Sequence, residues 1–174
     1  MADASVRLAG SQDADAIGAA QADLFRSAYG EVLAPEVLAA MTPEAFADGW
    51  RASLVSPPSN EHFLLLASDE QAQVVGLAAV VPSSEHGVAE LSLFGVRPAS
   101  REQGHGSRLL NAVADLLKEG HATAVQVWIP ATDEQLRAFL TAAGLAPDGA
   151  WRDREVDADG RTMREVRLTA TLGD

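Results

Sequence analysis

Apolar positions recur along this chain with two different periods, and the changeovers between them mark its elements. Near the start, "SVRLA" alternates apolar and polar residues and predicts a first strand. In "GSQDADAIGAAQADLFRSAYG", Ile17, Ala20, Leu24 and Ala28 fall at helical spacing between a Ser/Asp start and a Gly stop. Pro35 and Pro43 each stand where a short helix can begin, and Phe46, Trp50 and Leu54 then share one helical face. The Pro pair in "SPPSNEH" ends that pattern, because the residue before a proline is driven to extended backbone.

Three strand-sized apolar runs follow, "HFLLLASD", "VVGLAAVVP" and "VAELSLFGV", separated by the polar turns "SDEQAQ" and "SSEHG". Short polar turns between such runs predict an antiparallel meander over residues 62 to 96. The helical period returns in "GHGSRLLNAVADLLKEG", where Leu109, Leu110, Val113, Leu116 and Leu117 form one stripe and Gly120 closes it. "AVQVWIP" is again a strand, so strand, helix and strand predict a parallel crossover. "TDEQLRAFLTAAG" predicts a helix with Thr132 and Gln135 as its capping box, Leu136, Phe139, Leu140 and Ala143 inward, and Gly144 as its stop. The closing "AWRDREVDADGRTMREVRLTATL" predicts two strands around a "DADG" turn. No repeat, linker or low-complexity tract divides the sequence, so residues 1–174 are expected to form a single α/β domain.

Composition narrows the chemistry. With 174 residues and 47% apolar content the chain can bury one sizeable core. It has no cysteine, which excludes disulfides, thiolate zinc sites and cysteine nucleophiles. Its four histidines show no spacing that sets two imidazoles on one helix face, and no metal is expected. A formal charge of −12 argues against nucleic-acid binding, which needs a basic patch to displace counterions. No apolar run reaches the roughly 18 residues of a membrane span, and "MADASVRLAG" lacks the basic start and apolar block of a signal peptide. The expectation is a cytoplasmic protein with no membrane partner.

One stretch carries candidate chemistry. "VRPASREQGHGSRLL" sets Gly104 and Gly106 at the start of the long helix, where first-turn N–H groups lack helical partners and attract anions. A Walker loop would need Lys-Ser/Thr after the last glycine, and "GHGSR" has none. A dinucleotide fingerprint would need a third glycine where Leu109 stands and an acid closing the next strand, where "VWIPA" has none. The remaining phosphate pattern, Q/R-x-x-G-x-G/A, is met by Arg101, Gly104 and Gly106.

With this loop behind its meander, "AELSLFGVRPASREQGHGSRLL" resembles the coenzyme A-binding core of the GNAT superfamily of N-acetyltransferases. The order of strands and helices from residue 5 to residue 171 is similar to that fold. The resemblance implies a mixed, mostly antiparallel sheet of six to seven strands with a central parallel splayed pair, flanked by about four helices. It implies acetyl-CoA as co-substrate and an amine acceptor, a small molecule or a peptide, attacking directly in a ternary complex. On the donor side, Arg101, Gln103, Gly104, His105 through its amide, Gly106, Ser107 and Arg108 would hold pyrophosphate. Phe94, Gly95 and Val96 would hold the pantetheine arm and polarise the thioester carbonyl. Gly95 suits a bulge or a close backbone approach.

For catalysis, the resemblance points to Glu90 as the base that takes the amine proton, with Ser92 two residues on able to order a water. The tyrosine that family members often place on the helix after the crossover is here Leu140, behind Phe139, and the only tyrosine is Tyr29. Trp50 and Trp128 read as core or pocket lining. The arginines Arg152, Arg154, Arg161, Arg164 and Arg167 interleave with acids, which reads as a solvated ribbon or as one that forms a homodimer, rather than a nucleic-acid patch. The acceptor would enter between residues 24 to 54 and this hairpin. Two rival readings stand: a non-catalytic acyl-CoA-binding or regulatory module, and a nucleotide-binding protein of another fold.

Overall fold

The computed structural model describes residues 5–173. The chain runs β1 (Ser5–Leu8), α1 (Ala14–Tyr29), α2 (Pro35–Ala40), α3 (Pro43–Val55), β2 (Phe63–Ser68), β3 (Val74–Pro82) and β4 (Val88–Val96). It continues with α4 (His105–Glu119), β5 (Ala124–Pro130), α5 (Glu134–Ala142), β6 (Ala146–Glu155) and β7 (Thr162–Thr171). Pro35 and Pro43 open α2 and α3 as the sequence predicts, so five α-helices flank the sheet rather than about four. The helix over residues 134–142 is capped by Asp133, whose carboxylate accepts from the Leu136 amide, and not by Thr132. On its inward face Leu140 is buried and Leu136 and Phe139 pack partly buried against the core, whereas Ala143, like Ala28 at the end of α1, is exposed.

All seven strands form one sheet in the order β1-β2-β3-β4-β5-β7-β6. Every pairing is antiparallel except that of β4 with β5, the crossover through α4. Two cores face away from each other across the sheet. Leu109, Val113 and Leu117 of α4 and Leu140 of α5 pack with Val75, Ala78, Val80, Val125, Val127, Ile129 and Leu168 on one face. Ile17, Ala20 and Leu24 of α1 pack with Leu64, Leu66, Leu77 and Ala79 on the other. Strand β3, buried over Val74–Val80, serves both cores, which is why "VVGLAAV" reads as a continuous apolar run rather than an alternation. Helix α1 is further tied to α3 by the Trp50 indole, which donates to Gln21 Oε1 at 2.6 Å.

At the far edge, β6 runs ten residues with all but Ala150 exposed. At the opposite edge, β1 is pinned through Arg7, which donates to both carboxylate oxygens of Asp13 at 2.7 and 2.8 Å, while the Gly10 amide donates to the same group. The Arg7 hydrogen bonds hold the Asp13 carboxyl below its ordinary range against the opposing effect of burial. A depressed folded value stabilises above the unfolded pKa of about 4 and loses that contribution as pH falls through the folded value. Asp13→Asn is therefore expected to cost about 1 kcal/mol at pH 7, discounted for the half-exposed Arg7. In urea denaturation followed across pH, the gap to the parent chain should close below about pH 4.

Candidate active site

The parallel pairing of β4 and β5 is short. Val88, Ala89 and Glu90 pair with Ala124, Val125 and Gln126, and the ladder stops there, although β4 continues to Val96 and β5 to Pro130. Beyond that point β4 pairs only with β3, and β5 only with β7. A V-shaped opening therefore forms between two strands, each with one unpaired backbone edge. An unpaired edge offers N–H and C=O groups to an extended ligand.

A second irregularity lies in β4. Ala79 pairs with Leu93 but Val80 pairs with Leu91, so Ser92 is an extra residue. The slip reverses the alternation. Ala89 and Leu91 pack in the α4 core, Leu93 in the α1 core, and Phe94 again against α4. The bulge falls at Ser92 and not at Gly95. Gly95 instead admits close approach of a helix, because a Cβ there would stand 2.9 Å from Leu24 Cδ2. Ser92 is exposed and its hydroxyl donates to the Ala79 carbonyl at 3.3 Å.

At the closed end of the V, the two last-paired residues meet side chain to side chain. Gln126 Nε2 donates to Glu90 Oε2 at 2.7 Å, and Gln126 Oε1 accepts from Arg167 at 3.5 Å. Arg167 is paired in turn with Asp148 at 2.7 Å. The Ala150 amide, and after it Arg167, hold the Asp148 carboxyl below its ordinary range. Glu90 thus sits half-buried with one oxygen fixed by an amide.

The loop after β4 gathers the predicted donor-side residues. Gly104 caps α4 with φ +83°, a left-handed conformation that favours glycine. Among the described residues, no hydrogen bond takes the amides of Gln103, Gly104, His105, Gly106 or Ser107. Five free N–H groups at the positive end of a helix fit a pyrophosphate. The Arg108 guanidinium lies within 4 Å of where a Cβ on Gly104 would be and donates to His105 Nδ1 at 3.5 Å. His105 itself is buried. Arg101 is engaged elsewhere, donating from Nε to the Val96 carbonyl at 3.1 Å and reaching Ser27 of α1 at 3.5 Å. Gly106 has a packing reason, since a Cβ there would meet the Phe139 ring at 2.9 Å. That ring stacks on Phe94 with centroids 5.8 Å apart, joining α5 to the splayed strand.

Two participants were not singled out from the sequence. Gln126 is a buried polar residue within an apolar strand, a signal "AVQVWIP" does carry. The buried Glu165 emerges only from tertiary packing, as do the contacts of the predicted inward residue Phe139 with Gly106 and Phe94. Leu140 is fully buried in the α4 core, so α5 presents no hydroxyl at that position. Among the described residues no group of three or more metal-ligating side chains is assembled, and no helix is long and apolar enough to cross a membrane.

A family model described as the Acetyltransferase (GNAT) family matches residues 19–145. Solved structures share the fold. PaiA N-acetyltransferase from Thermoplasma acidophilum, in complex with coenzyme A, aligns with TM-score 0.73 and 14% identity over 94% of this chain and 98% of its own. Ribosomal-protein-alanine N-acetyltransferase from Brucella melitensis aligns with TM-score 0.73 and 20% identity over 97% and 99%. The yncA protein from Salmonella typhimurium, with its cofactor acetyl-CoA, aligns with TM-score 0.71 and 16% identity over 99% and 95%. No curated protein matches the chain. With its family model spanning most of its length, its splayed parallel pair and its open amide loop, the chain belongs to the GNAT acetyltransferase family.

Proposed function

We propose that this chain transfers an acetyl group from acetyl-CoA to a primary amine by direct attack in a ternary complex. The observation that carries the reading is the parallel ladder that ends at Glu90 and Gln126, which leaves free backbone on both strands next to a carboxylate. Acetyl-CoA would supply the activated thioester. The amides of residues 103–107 and the Arg108 guanidinium would hold its pyrophosphate, and the edge of Phe94–Val96, apart from the Val96 carbonyl that Arg101 occupies, would hold its arm and polarise the carbonyl.

Glu90 would accept the amine proton directly or through a water that Ser92 helps to order. Gln126 keeps the carboxylate from rotating away. As the C–N bond forms and the C–S bond breaks, the leaving sulfur would take its proton from water, because Leu140 has none to give.

Leu140 also favours a second reading, an acyl-CoA-binding module without turnover. Mixing the protein with acetyl-CoA and an amine panel while following free thiol separates the two. Thiol release that requires an amine is the expected result. Tight acetyl-CoA binding with no release across the panel would establish the module instead, and equal affinity for ATP, NAD and coenzyme A would overturn the donor assignment.

A further inference from the structure

Alternation along the last hairpin sorts its charges by face. Arg152 pairs across the strands with Glu165 and Arg154 with Met163, while Arg167 pairs with Trp128 on β5. Val166 and Leu168 belong to the α4 core, so these residues occupy the opposite face, the one that also carries Gln126. Asp153 and Arg164 pair with each other on the α4 side, where Arg164 lies over Trp151. In a chain of formal charge −12, guanidinium groups are thus concentrated beside the mouth of the V.

Their partners do not balance them. Glu165 is only 3% exposed. Arg152 donates to its Oε2 at 3.0 Å, whereas Arg154 stands 3.6 Å from Oε1, and that buried oxygen accepts no hydrogen bond among the described residues. Two guanidinium groups therefore share one carboxylate. Other acids nearby are committed to backbone, Asp133 to the Leu136 amide and Asp157 to the amides of Asp159 and Arg161. Arg167 is already satisfied by Asp148 and Gln126. Arg152 and Arg154 together carry one more unit of charge than the single carboxylate they share. Arg154 is 63% exposed, and the guanidinium carbon of Arg152 stands over the Trp128 ring, 4.3 Å from its centroid.

The segment after α1 meets the same hairpin. Burial pushes the Tyr29 phenol above its ordinary value, with Arg154 opposing and with Glu165 and Asp133 adding to the rise. Its ring packs edge-on against Phe25 at 5.3 Å, and its hydroxyl has no hydrogen-bond partner among the described residues. The hairpin turn touches the segment after α1, where Arg161 donates to the Val32 carbonyl at 3.3 Å, so the two walls are joined.

We infer that Arg152 and Arg154 bind an anionic group on the acceptor, a carboxylate or a phosphate, and that the acceptors are amino acids or phosphorylated amino alcohols rather than polyamines. The inference rests on the acetyl-transfer reading for the position of the amine. Strand β6, which carries both arginines, lies two strand spacings or about 10 Å from β5, and Arg152 reaches back over Trp128 of β5, a span that suits acceptors whose amine and anion are several bonds apart.

Steady-state kinetics with matched acceptors tests this: each amino acid against its carboxamide, each phosphorylated amino alcohol against the free alcohol, and a polyamine. The anionic member is expected to show a KM at least about tenfold lower. Arg154→Gln should raise that KM by about ten- to a hundredfold while leaving the carboxamide and acetyl-CoA values unchanged. The two acceptor series distinguish carboxylate from phosphate. If neutral amines and polyamines are used equally well and Arg154→Gln changes nothing, the inference is overturned while acetyl transfer stands. If no amine releases thiol, the transfer reading falls. Calorimetric titration of the same pairs then decides the anion site alone: binding of the anionic member that is lost in Arg154→Gln sustains it, and equal heats overturn it. Arg154 is largely exposed, so an unchanged melting temperature is expected for the variant.

Discussion

Glu90→Gln will lower kcat by about 10²- to 10⁴-fold and leave the Kd for acetyl-CoA unchanged. The substitution removes a proton acceptor and almost nothing else. A glutamine carbonyl can still accept from Gln126 Nε2, so the last rung of the parallel ladder and the opening beyond it are retained. Calorimetry with acetyl-CoA and steady-state rates with one good acceptor separate the two effects. An unchanged kcat would remove Glu90 from the chemistry. A fall in affinity equal to the fall in rate would make it a structural support for the V.

Gly104→Val will weaken coenzyme A binding by more than about tenfold. At φ +83° a side chain costs about 1–2 kcal/mol, and a β-branched one more. The segment can relieve that strain only by turning its backbone, which redirects the free amides of residues 103–107. The new side chain also meets the Arg108 guanidinium, 3.5 Å from the position of its Cβ. Gly160→Val is the control, because Gly160 has φ +78° and open space around it at the β6–β7 turn. It should lose comparable stability in thermal melts while binding coenzyme A as the parent does. Equal losses of affinity in both variants would make the effect one of folding and not of the loop.

The order of elements was legible because each run keeps one period long enough to declare it, from Ile17, Ala20 and Leu24 on α1 to Leu109, Val113 and Leu117 on α4. The glycine loop was legible because Arg101, Gly104 and Gly106 keep a fixed spacing between a strand and a long helix. The bulge at Ser92 was not, since a one-residue slip leaves no mark in composition and only the partner strand reveals it. Gly106 shows the same limit. Its pattern suggested access for an anion, whereas its nearest neighbour is Phe139, thirty-odd residues away in sequence. The pairing of Glu90 with Gln126 depends on the register of a parallel crossover, which no local signal specifies. Glu165 looked like one more acid in a charged ribbon until the hairpin closed over it.

The exposed edge of β6 carries a consequence for crowded solutions. Antiparallel docking of two such edges about a two-fold axis keeps each face with its own kind. Centred on Arg152 or Arg154 it sets that arginine against itself, and centred on Asp153 it sets Arg152 against Arg154. Like charges directly opposed across strands repel. A ten-residue strand open along its length would otherwise pair with the same edge of a second copy, and its face-sorted charges raise the barrier to that association.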